Sequence, residues 1–250
     1  MTDGLGNVGA RYDCGLLGDP YLHLPTVTVC IPWRPQPSRL GPYTRVRAFW
    51  EQTGWPIITA DSDASRPFNL AQARNNAVRM AETECVIVAD ADALPTIENI
   101  LIALLTVDEH IVWPYTLHRY ISAECQGDPF RAPAVQLAGM PPQPAEGYSN
   151  WTGSIYVALR SSYWHVGGFD ERFTSWGGED ACFRMAANTL VGVDRVPGLC
   201  VSFNHDCPGR NAASQEGGGN PQLLRQYRAA DLHPMAMLRL VKDTSRFLSR

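Results

Sequence analysis

The sequence lacks several features that would assign it to a membrane or a nucleic acid. It has no apolar run near the roughly 20 residues of a membrane span, and its first residues lack a secretion-signal pattern. It also lacks a basic tail or stripe, since 21 Lys and Arg stand against 25 Asp and Glu for a net charge of −4. We therefore expect no nucleic-acid partner and no transmembrane segment.

Paired cysteine motifs are also absent. The seven cysteines are odd in number and scattered, and none forms a C-x-x-C pair. That usage is typical of reduced thiols, so we expect a cytoplasmic protein rather than a secreted, disulfide-linked one.

What is present favours one well-buried domain. The chain has 250 residues, of which 45% are hydrophobic, enough for a single core. We predict an irregular N-terminal arm at residues 1–25 and the main domain at residues 26–206. Residues 207–221, rich in Gly, Asn and Ser, are predicted to be mobile, and residues 222–250 to form a helical extension.

The order of elements predicts an α/β fold. Apolar strands at residues 26–31, 57–60 and 85–89 alternate with helical patterns, which implies a mostly parallel central sheet flanked by helices. Further strands are predicted at 110–115, 153–159 and 199–204, with a long loop at 116–150. Ligands bind beyond the carboxyl ends of such strands, where Asp61, Asp90 and Asp92 fall.

The most informative motif is the acidic pair Asp90 and Asp92 at the end of the third strand. Alternation along a strand would direct both carboxylates the same way. Two like charges at one place need a positive partner, and a hard divalent cation with phosphate oxygens is the usual one. The alternative is a solvated turn before the next helix.

A second motif is the segment from Trp176 to Asp180, with two glycines in its middle. Glycines let a ligand approach the backbone, and Trp176 offers a flat face for a sugar ring. Glu179 and Asp180 stand at a helix start, where the dipole favours an ionised carboxylate that can act as a base. An ordinary acidic first turn is the alternative interpretation.

Together these motifs resemble the galactosyltransferase-type domains of the β-1,4-galactosyltransferases and the polypeptide N-acetylgalactosaminyltransferases, which have the GT-A fold. The resemblance rests on VTVCIPWRP at 27–35, ARNNAV at 73–78, VADADALP at 88–95 and VGGFDERFTSWGGED at 166–180. It covers residues 26–206. It implies a single Rossmann-like nucleotide-diphospho-sugar transferase domain.

The resemblance also implies a nucleotide site. Pro32 and Arg34 would line the nucleotide pocket, and Asp61 would hydrogen-bond the uracil ring. Arg74 would reach the ribose or the diphosphate. Asp90 would bind the ribose or the metal.

The remaining implied roles concern the metal and the sugars. Asp90, Asp92 and His205 would be the ligands of Mn²⁺, or of Mg²⁺ in its place. The residues implied to contact donor or acceptor sugar are Gly153, Trp176, Gly178 and Glu179. The segment after His205 would close over the donor as a lid.

The implied activity is transfer of a hexose or N-acetylhexosamine from a UDP-sugar to a protein or glycan acceptor. Catalysis is expected from Asp180 and Glu179, and the Glu-Asp pair favours inversion with Asp180 as the base. Retaining transfer, nucleotidyl transfer and a non-catalytic nucleotide-sugar binding module stay open as alternatives.

The absence of a lectin module, anchor and signal favours a microbial or viral cytosolic enzyme. For the basic C-terminal helices, a solvated face is favoured over a peripheral membrane contact.

Overall fold

The computed structural model describes residues 24–138, 140–174, 177–206 and 220–245. The predictions for Trp176, for nearly all of the N-terminal arm and for most of the segment at 207–221 lie outside the described residues.

The described part of the chain contains ten strands and seven α-helices. The strands are β1 (Val27–Pro32), β2 (Ile57–Ala60), β3 (Cys85–Ala89), β4 (Ala93–Leu94), β5 (Ile111–Trp113), β6 (Leu117–Ile121), β7 (Tyr148–Ser149), β8 (Ile155–Leu159), β9 (Val193–Arg195) and β10 (Leu199–Phe203). The helices are α1 (Pro37–Glu51), α2 (Leu70–Met80), α3 (Ile97–Thr106), α4 (Arg160–His165), α5 (Glu179–Leu190), α6 (Pro221–Ala230) and α7 (Pro234–Ser245).

The predicted central sheet is confirmed. Its six strands have the order β2-β1-β3-β8-β5-β9, and all run in one direction except β8. Every residue of β1 and β3 is buried, as their unbroken apolar sequences predict. Because β8 is antiparallel to β3, the start of β8 lies at the same edge as the carboxyl end of β3.

A second sheet of four strands was not predicted. Its order is β4-β10-β6-β7, so the last predicted strand, β10, lies here and not in the central sheet. The prediction of an unstructured loop over 116–150 was wrong in part, because β6 and β7 occupy it. β6 reads Leu-His-Arg-Tyr-Ile and pairs in parallel with the distant β10, so neither local composition nor a neighbouring turn reveals it.

The C-terminal helices are part of the packed structure. α6 and α7 pack on each other and both pack on α5, and they bury Leu224, Tyr227, Met237 and Val241. The Tyr227 hydroxyl donates to Asp170 Oδ2 at 3.2 Å. No described helix has both the length and the apolarity required of a membrane span.

Candidate active site

A cavity of about 700 Å³ opens where the two sheets meet, beyond the carboxyl end of β3. It is lined by residues from several parts of the chain: the start of α1, the segment that leads into α2, the turn after β3, β6, the approach to β8, the start of α5, and β10 with the residues that follow it. The lining residues that concern the chemistry are Arg39, Asp90, Asp92, Gly153, Ser154, Glu179, Asp180, Ser202 and His205.

The acidic pair lies in a turn and not on the strand. β3 ends at Ala89, so the alternation expected for Asp90 and Asp92 does not apply. The turn is fixed from both sides, since the Asp90 N–H donates to the Ser154 carbonyl at 2.8 Å and the Phe203 N–H donates to the Asp92 carbonyl at 2.8 Å. The two carboxylates consequently have different partners.

Asp92 faces His205 across the cavity. Asp92 Oδ2 lies 3.0 Å from His205 Nε2, and both side chains are almost buried. Burial alone would raise the pKa of Asp92, but the hydrogen bond with His205 and the nearby Arg39 lower it to about 2. The sequence had only suggested this pairing, and the structure brings the two residues together.

The Asp92–His205 pair suits a divalent cation. His205 Nδ1–H donates to the Asp206 carbonyl at 2.7 Å. The other ring nitrogen, Nε2, faces Asp92 and is the atom that a cation would bind. Adjacent ligands at about 2.1 Å in an octahedral shell are about 3 Å apart, which the observed separation matches. Within the described residues, however, no three His, Cys, Asp or Glu residues are close enough to form a metal site.

Asp90 is paired with Arg74. Arg74 is fully buried and donates to Asp90 Oδ1 at 2.7 Å and to Asp180 Oδ1 at 2.6 Å, while its guanidinium lies 4.5 Å from the Phe169 ring centroid. Burial raises the pKa of Asp90 to about 6, and the charges of Asp180 and Asp92 add to the effect while Arg74 opposes it. Arg74 therefore joins the acidic turn to the start of α5.

Glu179 and Asp180 begin α5, as predicted, and the surroundings of the two side chains differ from each other. Gly177 and Gly178 precede them with φ values of 102° and 98°, a left-handed backbone that explains the glycine pair. Glu179 is buried, and its Oε2 has no hydrogen-bond partner within the described structure. Burial, followed by the charge of Asp180, raises the pKa of Glu179 to about 7.

Gly153 is required by space. A Cβ placed there would lie 2.8 Å from Asp180 Oδ2 and 3.3 Å from Trp151 Nε1. Any side chain at this position would displace the Asp180 carboxylate, so glycine at position 153 leaves room for that carboxylate.

The predicted nucleotide residues at the ends of β1 and β2 contact one another. Arg34 Nε donates to both carboxylate oxygens of Asp61, at 2.9 and 2.8 Å, and the guanidinium lies 5.4 Å from the Phe68 ring centroid. Pro32 is buried as the last residue of β1. None of the three predicted residues lines the cavity, although Phe68 does.

Four polar residues of the site were not predicted. Arg39, near the start of α1, lies 4.0 Å from Asp92 Oδ1. His118 is fully buried and its ring nitrogen contacts the hydroxyls of Ser154 and Ser202. Burial lowers the pKa of His118 to about 3. No local pattern marks these residues, because they lie far apart in the sequence and come together only in the folded chain.

One family model matches a part of the chain that contains several residues of this cavity. Residues 135–205 match the family model described as the N-terminal domain of galactosyltransferase. That stretch includes Gly153, Glu179, Asp180 and His205, and the resemblance inferred from the sequence is confirmed there. No curated protein matches the chain in sequence.

Similar solved structures extend the comparison to the fold. A structure of GalNAc-T7 with UDP, GalNAc and Mn²⁺ matches 89% of this chain and 55% of that chain, at 10% identity and a TM-score of 0.51. The chain has the GT-A fold.

Two further solved structures match with lower TM-scores. A Drosophila β1,4-galactosyltransferase 7 mutant in complex with manganese, UDP-Gal and xylobiose is 18% identical, with 68% of this chain and 64% of that chain covered and a TM-score of 0.45. S. aureus TarS is 15% identical over 90% of this chain and 73% of that chain, with a TM-score of 0.43. The present chain thus spans less than two thirds of the length of both the galactosyltransferase and GalNAc-T7 chains.

Proposed function

We propose that this GT-A protein is a metal-dependent glycosyltransferase that moves a hexose or N-acetylhexosamine from a UDP-sugar to a protein or glycan acceptor. The observation that carries the proposal is the meeting of Asp92 and His205 at 3.0 Å in a cavity that also contains Glu179 and Asp180. A cation site and a pair of carboxylates in one cavity are what sugar transfer from a nucleoside diphosphate needs.

Asp92 and His205 would hold Mn²⁺, or Mg²⁺ in its place, and Asp90 becomes a third ligand if Arg74 releases it. When bound, the ion supplies positive charge that stabilises the diphosphate leaving group. The chain's own contribution at this end of the cavity is Arg39, whose buried Nε has no partner within the described residues. Arg39 places a second positive charge beside the same phosphates.

At the other end of the cavity, Asp180 would act as the base in an inverting reaction. Its Oδ1 is held by Arg74, so the carboxylate is oriented, and Oδ2 lies beside Gly153. A base must reach the acceptor hydroxyl, and Asp180 lines the cavity with 27% of its side chain exposed. Glu179 is buried and its Oε2 has no hydrogen-bond partner within the described residues, so we assign it a hydrogen bond to a sugar hydroxyl.

The nucleotide would extend from the cavity towards Arg34 and Asp61. The Arg34 guanidinium neutralises Asp61 and lies beside Phe68, and these groups together offer both a flat ring and polar atoms to a uracil.

The cytoplasmic location also stays a proposal. It is supported by the free thiols of the five described cysteines, Cys30, Cys85, Cys125, Cys182 and Cys200.

The test is release of UDP from a panel of UDP-sugars, with and without Mn²⁺, by the full chain and by Asp92→Asn. We expect Mn²⁺-dependent release that falls at least tenfold in the variant. Chromatography of the products then separates the alternatives, since sugar attached to the acceptor supports a glycosyltransferase and a transferred nucleotide supports a nucleotidyltransferase. Binding of UDP-sugar with no turnover on any acceptor or water would indicate a binding module.

A further inference from the structure

A buried histidine connects two serines below the acidic turn. His118 is fully buried on β6, and its Nε2 lies 2.9 Å from Ser202 Oγ and 3.1 Å from Ser154 Oγ. Its Nδ1 has no hydrogen-bond partner in the described part of the chain. The two serines belong to different sheets, because Ser202 lies in β10 and Ser154 directly precedes β8.

The burial and contacts of His118 define the direction of its hydrogen bonds. A neutral imidazole carries one N–H, and placing it on Nδ1 would leave a buried donor without an acceptor, which is rarer and costlier than an idle lone pair. We assign the hydrogen to Nε2, where it is shared between the two serine oxygens. Each serine oxygen then accepts from His118 and keeps its own hydrogen to donate elsewhere.

Neither serine hydroxyl has another partner among the described residues, and both serines line the cavity. They are placed on either side of the acidic turn. The Ser154 carbonyl accepts from the Asp90 N–H, and Ser202 pairs with Ala93, the residue after Asp92. A ligand bound at Asp92 and His205 would therefore meet two hydroxyl donors.

The backbone of Ser154 has an unusual conformation. Its φ is 76°, a left-handed value that costs energy for a residue other than glycine. Glycine would satisfy that backbone without strain, so the serine side chain is what the position gains. The contact with His118 is the one hydrogen bond of that side chain in the described structure.

We propose that Ser154 and Ser202 are a pair of hydroxyl donors for the diphosphate oxygens of the donor nucleotide, and that His118 is the positioning residue that orients them. The choice of ligand follows from which groups in the cavity donate hydrogen bonds and which accept them. The carboxylates of the cavity accept hydrogen bonds and suit cations and sugar hydroxyls, whereas hydroxyl donors suit a group with only acceptor oxygens. The inference rests on the proposed function, since it assumes a nucleoside diphosphate in this cavity.

The experiment compares UDP with UMP by isothermal titration calorimetry in the presence of Mn²⁺. The variants are Ser202→Ala and Ser154→Gly. Glycine is chosen at position 154 because it adopts the positive φ of that position without strain. Ser162→Ala, a buried serine of α4 outside the cavity, is the matched control. A hydrogen bond to a charged oxygen is worth about a tenfold change in affinity or more. Each cavity variant should weaken UDP binding by about tenfold and UMP binding by less than twofold, while the control changes neither.

His118 is tested through its effect on the serines. His118→Leu should lower the preference for UDP over UMP, and adding Ser202→Ala to it should weaken UDP binding by less than a further twofold. His118→Gln, which restores an N–H, should recover part of the preference. A purely structural role for His118 would instead give additive losses and no recovery in the glutamine variant.

The failures are distinguishable. If the wild type prefers UDP to UMP and both serine variants keep that preference, the serine proposal is wrong and the proposed function stands. If the wild type binds no UDP with Mn²⁺, the proposed function fails and the serine proposal fails with it.

Discussion

Removing the Arg74 guanidinium should destabilise the protein in a pH-dependent way. Arg74 is fully buried and holds two carboxylates, Asp90 at 2.7 Å and Asp180 at 2.6 Å. In Arg74→Met the side chain keeps its apolar length against Phe169, but both acids lose their cation. The variant therefore isolates the charge of Arg74 from its volume.

The cost follows from leaving charges partly buried without a partner. Breaking one side of a buried ion pair typically costs about 3–5 kcal/mol. We expect the lower end, about 3 kcal/mol, because the Asp90 and Asp180 side chains are 19% and 27% exposed and water can reach them. For a chain of this size that free energy lowers Tm by roughly 6–12 °C.

The pH dependence gives the sharper signature. In the wild type, burial already raises the pKa of Asp90 to about 6, and the charge of Arg74 opposes that rise. Removing Arg74 should therefore raise the pKa of Asp90 further. The native variant then keeps the Asp90 proton to a higher pH than the native wild type does, so the deficit of the variant grows as pH rises above about 6 and is smallest below that pH.

The assay is urea unfolding of wild type and variant at several pH values between 4 and 8. Arg79→Met is the matched control, since Arg79 is also on α2 but is 33% exposed in its pair with Glu171. The control should cost less than about 1 kcal/mol at every pH. Equal losses in the two variants, or an Arg74→Met deficit that does not change with pH, would refute the reasoning.

Three further changes follow from the same site. Glu179→Gln should gain stability relative to wild type as pH rises from 5 to 8, because the raised pKa of Glu179, about 7, means the native state loses stability on ionisation. Urea unfolding at the two pH values measures this, and a constant difference would contradict it. Gly153→Ala should lower transfer at least tenfold with a small change in Tm, since its Cβ would lie 2.8 Å from Asp180 Oδ2; full activity would show that Asp180 need not hold its place. Asp61→Asn should weaken uridine binding several-fold, as measured by calorimetry. Its Tm should shift by less than about 2 °C, because Arg34 and Asp61 are partly exposed. Unchanged uridine affinity would remove both residues from the nucleotide site.

The sequence was sufficient for the parts of the fold that depend on local patterns. β1 and β3 are continuous apolar runs in a βαβ order, and both were predicted within a residue of their observed bounds. The glycine pair before Glu179 likewise marked the start of α5. These features are local, so a single sequence contains them.

The parts that could not be predicted depend on distant pairing. β6 carries His118 and Arg119 in a short strand, and its partner β10 is far along the chain. The contact of Asp92 with His205 required the family resemblance, because a histidine after a strand has no distinguishing pattern. The expected common direction of Asp90 and Asp92 failed because β3 ends one residue before the pair.

The central claim is that one cation is bound by Asp92 and His205. Calorimetric titration of Mn²⁺ in the presence of UDP tests it, with wild type, Asp92→Asn, His205→Ala and the exposed His165→Ala as the control. Removal of a direct ligand should weaken binding at least about tenfold, since even outer partners cost that much. The account predicts this loss in Asp92→Asn and His205→Ala and not in His165→Ala. Wild-type Mn²⁺ affinity in either cavity variant would contradict it.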